Sequence, residues 1–296
     1  MTTPDPVYVA ARRVLLDALH ALGTHRDAVV LVGAQAVYLQ AGAADLEITV
    51  APYTTDADLG IDPARLGSDP KIVAAMTEAG FILKVKAGDG GVEPGTWIAN
   101  TDVDGKQTPI PVDLLVPEQL ATGRGRRDAR LPDHGRNATR WTPGLEAAIY
   151  DNTELTIVSL EPDADSRETT IRVAGPAALL TAKAHKIADR LAEGARGRPT
   201  RIKPKDCADV IRLMRSPSTP QAVGARLAEL TQQPACATSV QQGVEHLDQQ
   251  FGGPTSVGVA LAGAALAGAL PEDEIRALAT AYIGAMLDAY HSASAN

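Results

Sequence analysis

Apolar residues recur every three or four positions over residues 6–22, and this spacing predicts an amphipathic helix. A short apolar run at residues 28–32 ends at Gly33 and predicts a buried strand, and residues 34–39 predict a short helix after it. Residues 58–61 predict a second strand. The other elements predicted in this half are a helix at residues 69–79 and strands at residues 81–86, 96–100, 110–116, 155–160 and 169–173.

The pattern changes near residue 172. From residue 176 to the end of the sequence the spacing of apolar residues is helical almost throughout, with breaks at Pro and Gly. We therefore predict two domains. Residues 1–172 should form an α/β (α+β) domain with a mixed sheet, and residues 173–296 should form an all-helical domain.

Composition narrows the class of protein. The sequence is 45% hydrophobic, which is enough for a core, but only 3% aromatic, which argues against a stacking platform for single-stranded bases. A net charge of −8 argues against a uniformly basic nucleic-acid coat. The most apolar stretch, residues 257–270, is shorter than the roughly 20 residues of a membrane span. With two isolated cysteines and no visible secretory signal, we expect a soluble cytoplasmic protein without a membrane association.

Two closely spaced carboxylates are the sharpest local signal. Asp56 and Asp58 lie two residues apart, so in an extended segment both side chains point to the same face. Two like charges this close are costly unless a cation lies between them, and oxygen ligands suit Mg²⁺. The alternative is an ordinary acidic loop at the edge of a strand.

Asp113 is a single carboxylate within a very apolar strand, where an ionised group is expensive without a partner. It is either a third carboxylate of the same site or a strand-end Asp that accepts hydrogen bonds from a turn. Upstream, Gly33 marks a turn from strand to helix whose backbone N–H groups can bind an anion. This combination indicates nucleotidyl transfer with metal ions.

The order LVGAQA, TTDADLGI and PVDLLVP resembles the polymerase-β-like nucleotidyltransferase superfamily. The usual signature of that superfamily is a Gly-Gly or Gly-Ser turn, a paired carboxylate motif and a later strand carboxylate. This sequence departs from the signature at the turn, where Gly33 is followed by Ala34. Only backbone amides would then hold phosphate at this point.

In the C-terminal half a predicted helix carries Lys183, Arg190 follows seven residues later, and Lys205, Asp206 and Asp209 form a KDxxD motif. This pattern resembles that of the AbiEii-type toxins and their MenT relatives. The resemblance spans residues 30–213 and implies site residues by position. They are Thr54, Asp56, Asp58 and Asp113 in the first half and Lys183, Arg190 and Asp206 in the second.

Three cations can share one helix face because Lys183, Lys186 and Arg190 are spaced by three and four residues. Such a face suits a triphosphate, although Lys186 could equally be a solvated residue. By resemblance Asp206 serves as a base or an orienting group. Asp209, three residues later, could instead stabilise the helix by placing its negative charge near the positive end of the helix dipole.

Two Arg-rich segments contrast with the overall acidity, at residues 123–140 and 190–205. A basic loop beside a catalytic site could hold a phosphate backbone. We assign this role to Arg196, Arg198 and Arg201, and solvated arginines are the alternative reading.

The resemblance implies a Mg²⁺-dependent nucleotidyltransferase that moves NMP from an NTP onto a macromolecule, with the 3′ end of tRNA as the expected acceptor, and that acts as the toxin of a toxin–antitoxin pair. Asp56, Asp58 and Asp113 would bind metal; Gly33, Thr54, Lys183, Lys186 and Arg190 would bind the nucleotide. A cognate antitoxin would be a partner. The alternatives are NMP transfer to a protein or antibiotic hydroxyl, and a catalytically silent binding module of the same fold.

Overall fold

A mixed β-sheet and a series of helices account for most of the residues that the computed structural model describes, which are 4–42, 54–86, 88, 90–123 and 127–294. The chain divides into two compact units. The first unit takes its described residues from Met1–Gln35, Ala51–Thr142 and Asn152–Val173, and the second from Ala36–Val50, Pro143–Asp151 and Ala174–Asn296.

The sheet has eight strands among the described residues. Numbered β1 to β8, they are Val29–Val32, Ala57–Ile61, Ile82–Val85, Val92–Val103, Lys106–Pro117, Arg140–Thr142, Asn152–Val158 and Glu168–Ala174. Their order in the sheet is β3-β4-β5-β2-β1-β8-β7, with β6 added beside β5. Strand β1 is antiparallel to β2 and parallel to β8, while β5 is parallel to β2 and β6 and antiparallel to β4.

Three helices accompany these strands. They are α1 (Pro6–Ala21), α2 (Gly33–Ala41) and α3 (Ile72–Glu78). Helix α1 is capped by Asp5, whose carboxylate accepts hydrogen bonds from the backbone N–H groups of Val7 and Tyr8, and it packs its apolar face on the sheet. Strand β1 is buried along its whole length, as its continuous apolar run predicts.

The second unit is helical. It contains α4 (Pro176–Ala195), α5 (Pro204–Met214), α6 (Pro220–Thr231), α7 (Ala237–Phe251), α8 (Val257–Ala265) and α9 (Glu272–Ser294). The first three of these begin with Pro, which is favourable at a position where the backbone N–H has no helical partner. Helices α6 and α9 pack along each other, and α5 packs against both α4 and α8.

The predicted fold class is confirmed, because a mixed sheet with helices is followed by an all-helical region. Strands β4 and β5 extend beyond the predicted residues 96–100 and 110–116. Most of the added residues are polar or proline and half-buried or exposed, so they carry little apolar signal. They join through Asp104 and Gly105, both with positive φ, which is the backbone of a two-residue hairpin turn. Strand β6 is not among the strands predicted from the sequence.

The contact between α6 and α9 gives a prediction about stability. A Cβ on Gly224 of α6 would lie 2.2 Å from the backbone oxygen of Met286, whereas one on Gly284 of α9 would meet nothing within 4 Å. We expect Gly224→Ala to lower the free energy of unfolding by about 1–3 kcal/mol through overpacking. Gly284→Ala should raise it by up to about 1 kcal/mol through helix propensity. Urea denaturation measures both, and equal effects would contradict the close helix contact.

Candidate functional site

Strand pairing brings the predicted carboxylates of the first unit together. Asp58 on β2 lies opposite Val32 of β1 on one side and opposite Asp113 of β5 on the other. Gly33 follows Val32 directly and begins α2. Asp56 immediately precedes β2 and lies close enough to Asp113 to affect its pKa. We call Asp56, Asp58 and Asp113 the acidic cluster.

Gly33 is required by the acidic cluster itself. Its φ is +69°, and a Cβ at this position would lie 2.0 Å from Oδ2 of Asp58. A side chain here would therefore meet both the strain of the left-handed region and a steric clash. The Gly33 turn and the Asp58 carboxylate lie very close to each other, so the glycine-turn motif and the paired-carboxylate motif belong to the same site. The role of Gly33 in nucleotide binding stays a prediction.

Asp56 is positioned by Thr54, which precedes it in the chain, and by residues of α1 and α2. The Thr54 hydroxyl donates to Oδ1 of Asp56 at 2.5 Å, and Nε2 of Gln35 donates to the Asp56 carbonyl oxygen at 3.2 Å. Nε of the buried Arg12 donates to Oε1 of Gln35 at 2.9 Å. Thr54 is fully buried, so in this structure it orients Asp56. Sequence reasoning missed Arg12 and Gln35, although Gln35 lies within the LVGAQA segment.

Asp113 is held by two side chains. Nη2 of Arg140 donates to Oδ2 at 2.5 Å, and the Thr96 hydroxyl donates to Oδ1 at 2.7 Å. Nη1 of Arg140 also donates to the Thr96 hydroxyl at 3.2 Å. Burial raises the pKa of Asp113 above its ordinary value, Arg140 and Thr96 act to lower it, and the charge of Asp56 raises it further. Arg140, predicted as part of a basic segment, is thus the ion-pair partner of Asp113 within the first unit.

The chemistry of the acidic cluster fits a hard cation in part. Asp56 and Asp58 supply oxygen ligands of the kind that Mg²⁺ prefers. In the described part of the chain, however, no group of three or more His, Cys, Asp and Glu side chains is placed to hold a metal ion. Both oxygens of Asp113 already accept hydrogen bonds. The metal role of Asp113 stays a prediction, and its observed partners are Arg140 and Thr96.

The predicted residues of the second unit form a buried ion cluster between α4 and α5. Nζ of Lys183 donates to Oδ2 of Asp209 at 2.6 Å and to Oδ1 of Asp206 at 3.3 Å. Arg190 hydrogen-bonds Oδ2 of Asp206, and Nζ of Lys186 lies 3.3 Å from its Oδ1. The members of this cluster are Lys183, Lys186, Arg190, Asp206, Asp209 and Arg212.

Arg212 is the remaining member of the buried ion cluster and pairs with Asp209. Its Nη1 lies 3.4 Å from Oδ1 of Asp209, and its guanidinium stacks over the Tyr38 ring at 5.4 Å. Lys183, Asp206, Asp209 and Arg212 are all buried. The suggestion that Asp209 serves the helix dipole is wrong, because Asp209 lies beyond the first turn of α5, where the dipole acts, and its carboxylate is paired with Lys183 and Arg212. Sequence reasoning missed Arg212 and Tyr38.

Asp206 is an unusually strong acid in this setting. Burial alone would raise its pKa, but the charges of Lys183, Lys186 and Arg190 outweigh burial and hold the pKa far below its ordinary value. A carboxylate that gives up its proton so readily is a poor general base near neutral pH. Of the two roles predicted for Asp206, base or orienting group, this environment favours the second.

The second Arg-rich segment is partly neutralised. Arg201 pairs with Glu193 at 2.7 Å and Nη1 of Arg198 lies 3.8 Å from the same carboxylate. Their side chains remain 54% and 71% exposed, so both can still meet a ligand. Arg196 is exposed at the end of α4. In the first segment, Arg124 and Arg126 lie outside the described residues.

Comparisons with known proteins add little. No protein-family model matches the sequence, and no curated protein matches it. One solved structure that matches is the crystal structure of an antigenic nucleotidyltransferase-like protein from Paracoccidioides brasiliensis, with 16% identity and a TM-score of 0.37 over 81% of this chain and 94% of that chain. A similarity of this size says nothing about function, which has to come from the residues of this chain.

Among the described residues, no helix has both the length and the apolar character of a membrane span.

The buried ion cluster predicts different effects for two neighbouring lysines. Lys183→Met would leave Asp209 and Asp206 buried with one cation fewer, so we expect the free energy of unfolding to fall by about 3–5 kcal/mol. The Lys186 side chain is 41% exposed, and Lys186→Met should cost about 1 kcal/mol or less. Urea denaturation at neutral pH measures both. If Lys183→Met were as stable as Lys186→Met, the lysine would not neutralise the buried carboxylates.

Proposed function

We propose that this protein is a Mg²⁺-dependent nucleotidyltransferase that transfers NMP from an NTP to a hydroxyl of a macromolecule. The observation that carries the proposal is the close approach of the Gly33 turn to Asp58, beside Asp56. A strand, a glycine turn and a helix start meet two carboxylates at one point. That arrangement offers backbone N–H groups for phosphate next to oxygen ligands for a cation.

In this proposal Asp56 and Asp58 hold the cation. When bound, the cation supplies charge stabilisation to the phosphoryl group during transfer. The chain's own residues prepare the site for it. Thr54 fixes one carboxylate oxygen of Asp56, Gln35 fixes its backbone, and Gly33 leaves room for the carboxylate of Asp58. The side chains are thus oriented before substrate arrives, which lowers the cost of ordering them during the reaction.

The buried ion cluster is proposed to bind the phosphates. Four cations there face two carboxylates, which leaves an excess of positive charge. Lys183 is buried and occupied by Asp206 and Asp209, whereas Lys186 and Arg190 are 41% and 22% exposed. We therefore assign direct phosphate contact to Lys186 and Arg190. Lys183 and Asp206 act through them as positioning residues.

The acceptor that we propose is the 3′ end of tRNA, with the protein acting as the toxin of a toxin–antitoxin pair. The resemblance to AbiEii/MenT-type toxins supports this, as do the exposed arginines after α4, which suit a polyanion. NMP transfer to a protein or small-molecule hydroxyl is the second candidate. It is favoured by Glu193, which partly neutralises Arg198 and Arg201. The oriented acidic cluster speaks against a silent binding module.

The central test is transfer of label from each NTP to total RNA and to total protein. Asp58→Asn keeps the size of the side chain but removes the charge that the cation requires, so transfer should fall by orders of magnitude. Asp163→Asn, at an exposed turn, is the matched control and should transfer as the wild type does. Thermal unfolding should be cooperative in all three proteins. Full transfer by Asp58→Asn would refute the proposal.

A second test identifies the acceptor. Neutralising Arg196, Arg198 and Arg201 together should weaken tRNA binding and flatten its dependence on salt. Each lost phosphate contact should reduce the slope of log K against log salt by about 0.7–0.9. The slope is measured from binding of labelled tRNA at several salt concentrations.

The matched control for this test replaces three exposed cations elsewhere. The variant is Arg65→Gln, Lys71→Gln and Arg276→Gln, and we expect it to leave the slope unchanged. A slope equally unaffected by both triple variants would favour a protein or small-molecule acceptor over tRNA.

A further inference from the structure

Two buried histidines meet inside the first unit. His25 lies in a short 3-10 helix (Gly23–Ala28) that follows α1, and His134 lies in the chain between β5 and β6. Their rings are in edge-to-face contact, with 5.4 Å between the ring centroids and 80° between the ring planes. A positive charge on either ring would therefore face the other imidazole instead of water.

The two rings hold the end of the connection between β2 and α3, residues 67–72, which we call the linking segment. Nε2 of His25 lies 2.6 Å from the carbonyl oxygen of Pro70. Nδ1 of His134 accepts a hydrogen bond from the backbone N–H of Ile72 at 3.3 Å. Each histidine thus contacts the backbone of the linking segment at a different point.

These partners determine where the protons are on both rings. A carbonyl oxygen only accepts, so Nε2 of His25 carries a proton, and a backbone N–H only donates, so Nδ1 of His134 carries none. The other ring nitrogen of His25, Nδ1, is buried and has no hydrogen-bond partner among the described residues. A second proton on His25 would therefore find no acceptor, and a second proton on His134 would point at the N–H of Ile72.

The surroundings of His134 also favour a neutral ring. Burial lowers the pKa of His134, and the neighbouring His25 lowers it further. A hydrogen bond with the backbone of Gly67 and the charge of Asp133 act to raise the pKa, but it stays below its ordinary value. The other charged side chains of the 3-10 helix, the linking segment, α3 and residues 131–139 are exposed, and they are Arg26, Asp27, Asp69, Lys71, Glu78 and Arg136.

Protonation of His134 removes a contact on which the start of α3 depends. Helix α3 begins at Ile72, and the side chain of Lys71 before it makes no capping hydrogen bond. Nδ1 of His134 therefore accepts the first N–H of the helix, which has no partner within the helix itself. A proton on Nδ1 abolishes this bond and places a positive charge at the positive end of the helix.

We propose that His134, packed against His25, is a pH sensor that holds the linking segment and the start of α3 at neutral pH and releases them in mild acid. None of residues 63–71 is buried, so release of the segment exposes little apolar surface. The inference does not rest on the proposed function, because the contacts that carry it lie among the two histidines and the linking segment.

Hydrogen exchange of backbone amides tests the proposal. The pKa of His134 is lowered from 6.5 when the segment is held, so below pH 6.5 the released form binds more protons. Protection factors of amides in residues 67–79 should be constant above this pH and fall by up to about tenfold per pH unit below it. Those of β1 and β5 should not change. Mass spectrometry of the full chain, from about pH 7.5 to about pH 5.5, avoids the range in which most carboxylates titrate.

Three variants identify the sensor. In His134→Asn a side-chain oxygen takes the place of Nδ1 and does not titrate, so the bond from Ile72 should persist and protection should not depend on pH. His25→Gln keeps a donor for the carbonyl of Pro70 and leaves His134 in place, so protection should still fall in acid. His291→Asn makes the same change at an exposed histidine of the second unit and should behave as the wild type does.

Three results would each overturn the inference: protection in residues 67–79 that is independent of pH in the wild type, an equal fall in β1 and β5, or full pH dependence in His134→Asn. An NMR titration of the wild-type imidazoles covers the case in which that variant fails to fold. We expect a pKa of His134 below 6.5, and a value at or above 6.5 would also contradict the proposal.

Discussion

The need to neutralise buried carboxylates governs both units of this protein. Asp113, Asp206 and Asp209 are each removed from water, and an unpaired charge in such a place would cost several kcal/mol. Each has a cation from its own unit: Arg140 for Asp113, and Lys183 with its neighbours for Asp206 and Asp209. The register of β6 on β5 and the packing of α5 on α4 are the features that deliver these cations. Fold and charge pairing therefore depend on each other.

The same constraint separates cations that hold the structure from cations that can meet a ligand. Lys183 and Arg212 are buried against carboxylates, and Arg140 is fixed by Asp113 and Thr96. Lys186 keeps much of its surface exposed at the edge of the same network. Spacing along a helix predicts that Lys183 and Lys186 share a face, but it does not say which one faces the core.

Much of the fold was predictable from the sequence because its signals are local. The continuous apolar run of β1, the glycine after it and the helical period beyond residue 176 each depend on neighbouring residues. The Asp104–Gly105 turn is another local signal, because Asp-Gly favours the two-residue hairpin turn that joins β4 to β5. Strand β6 could not be predicted in the same way, because three half-buried residues form it only by pairing with β5.

The residues of the acidic cluster were predictable as a motif, whereas their partners were not. Arg140 is 27 residues from Asp113, and nothing in their spacing connects them.

Because these ion pairs stabilise the fold, a variant can lose activity either through the reaction or through loss of stability. Substitution of Lys183 or Arg140 takes a cation away from a buried carboxylate, so the folded state is weakened before any substrate is considered. Asp58 differs, because Asn fills nearly the same space beside Gly33 while removing the negative charge. A motif that is recognised from sequence therefore mixes two kinds of residue. Those that bind the cation act in the reaction, and those that neutralise buried charge act on stability first. Only a stability measurement beside each activity measurement separates them, and the burial of Lys183 shows which result to expect.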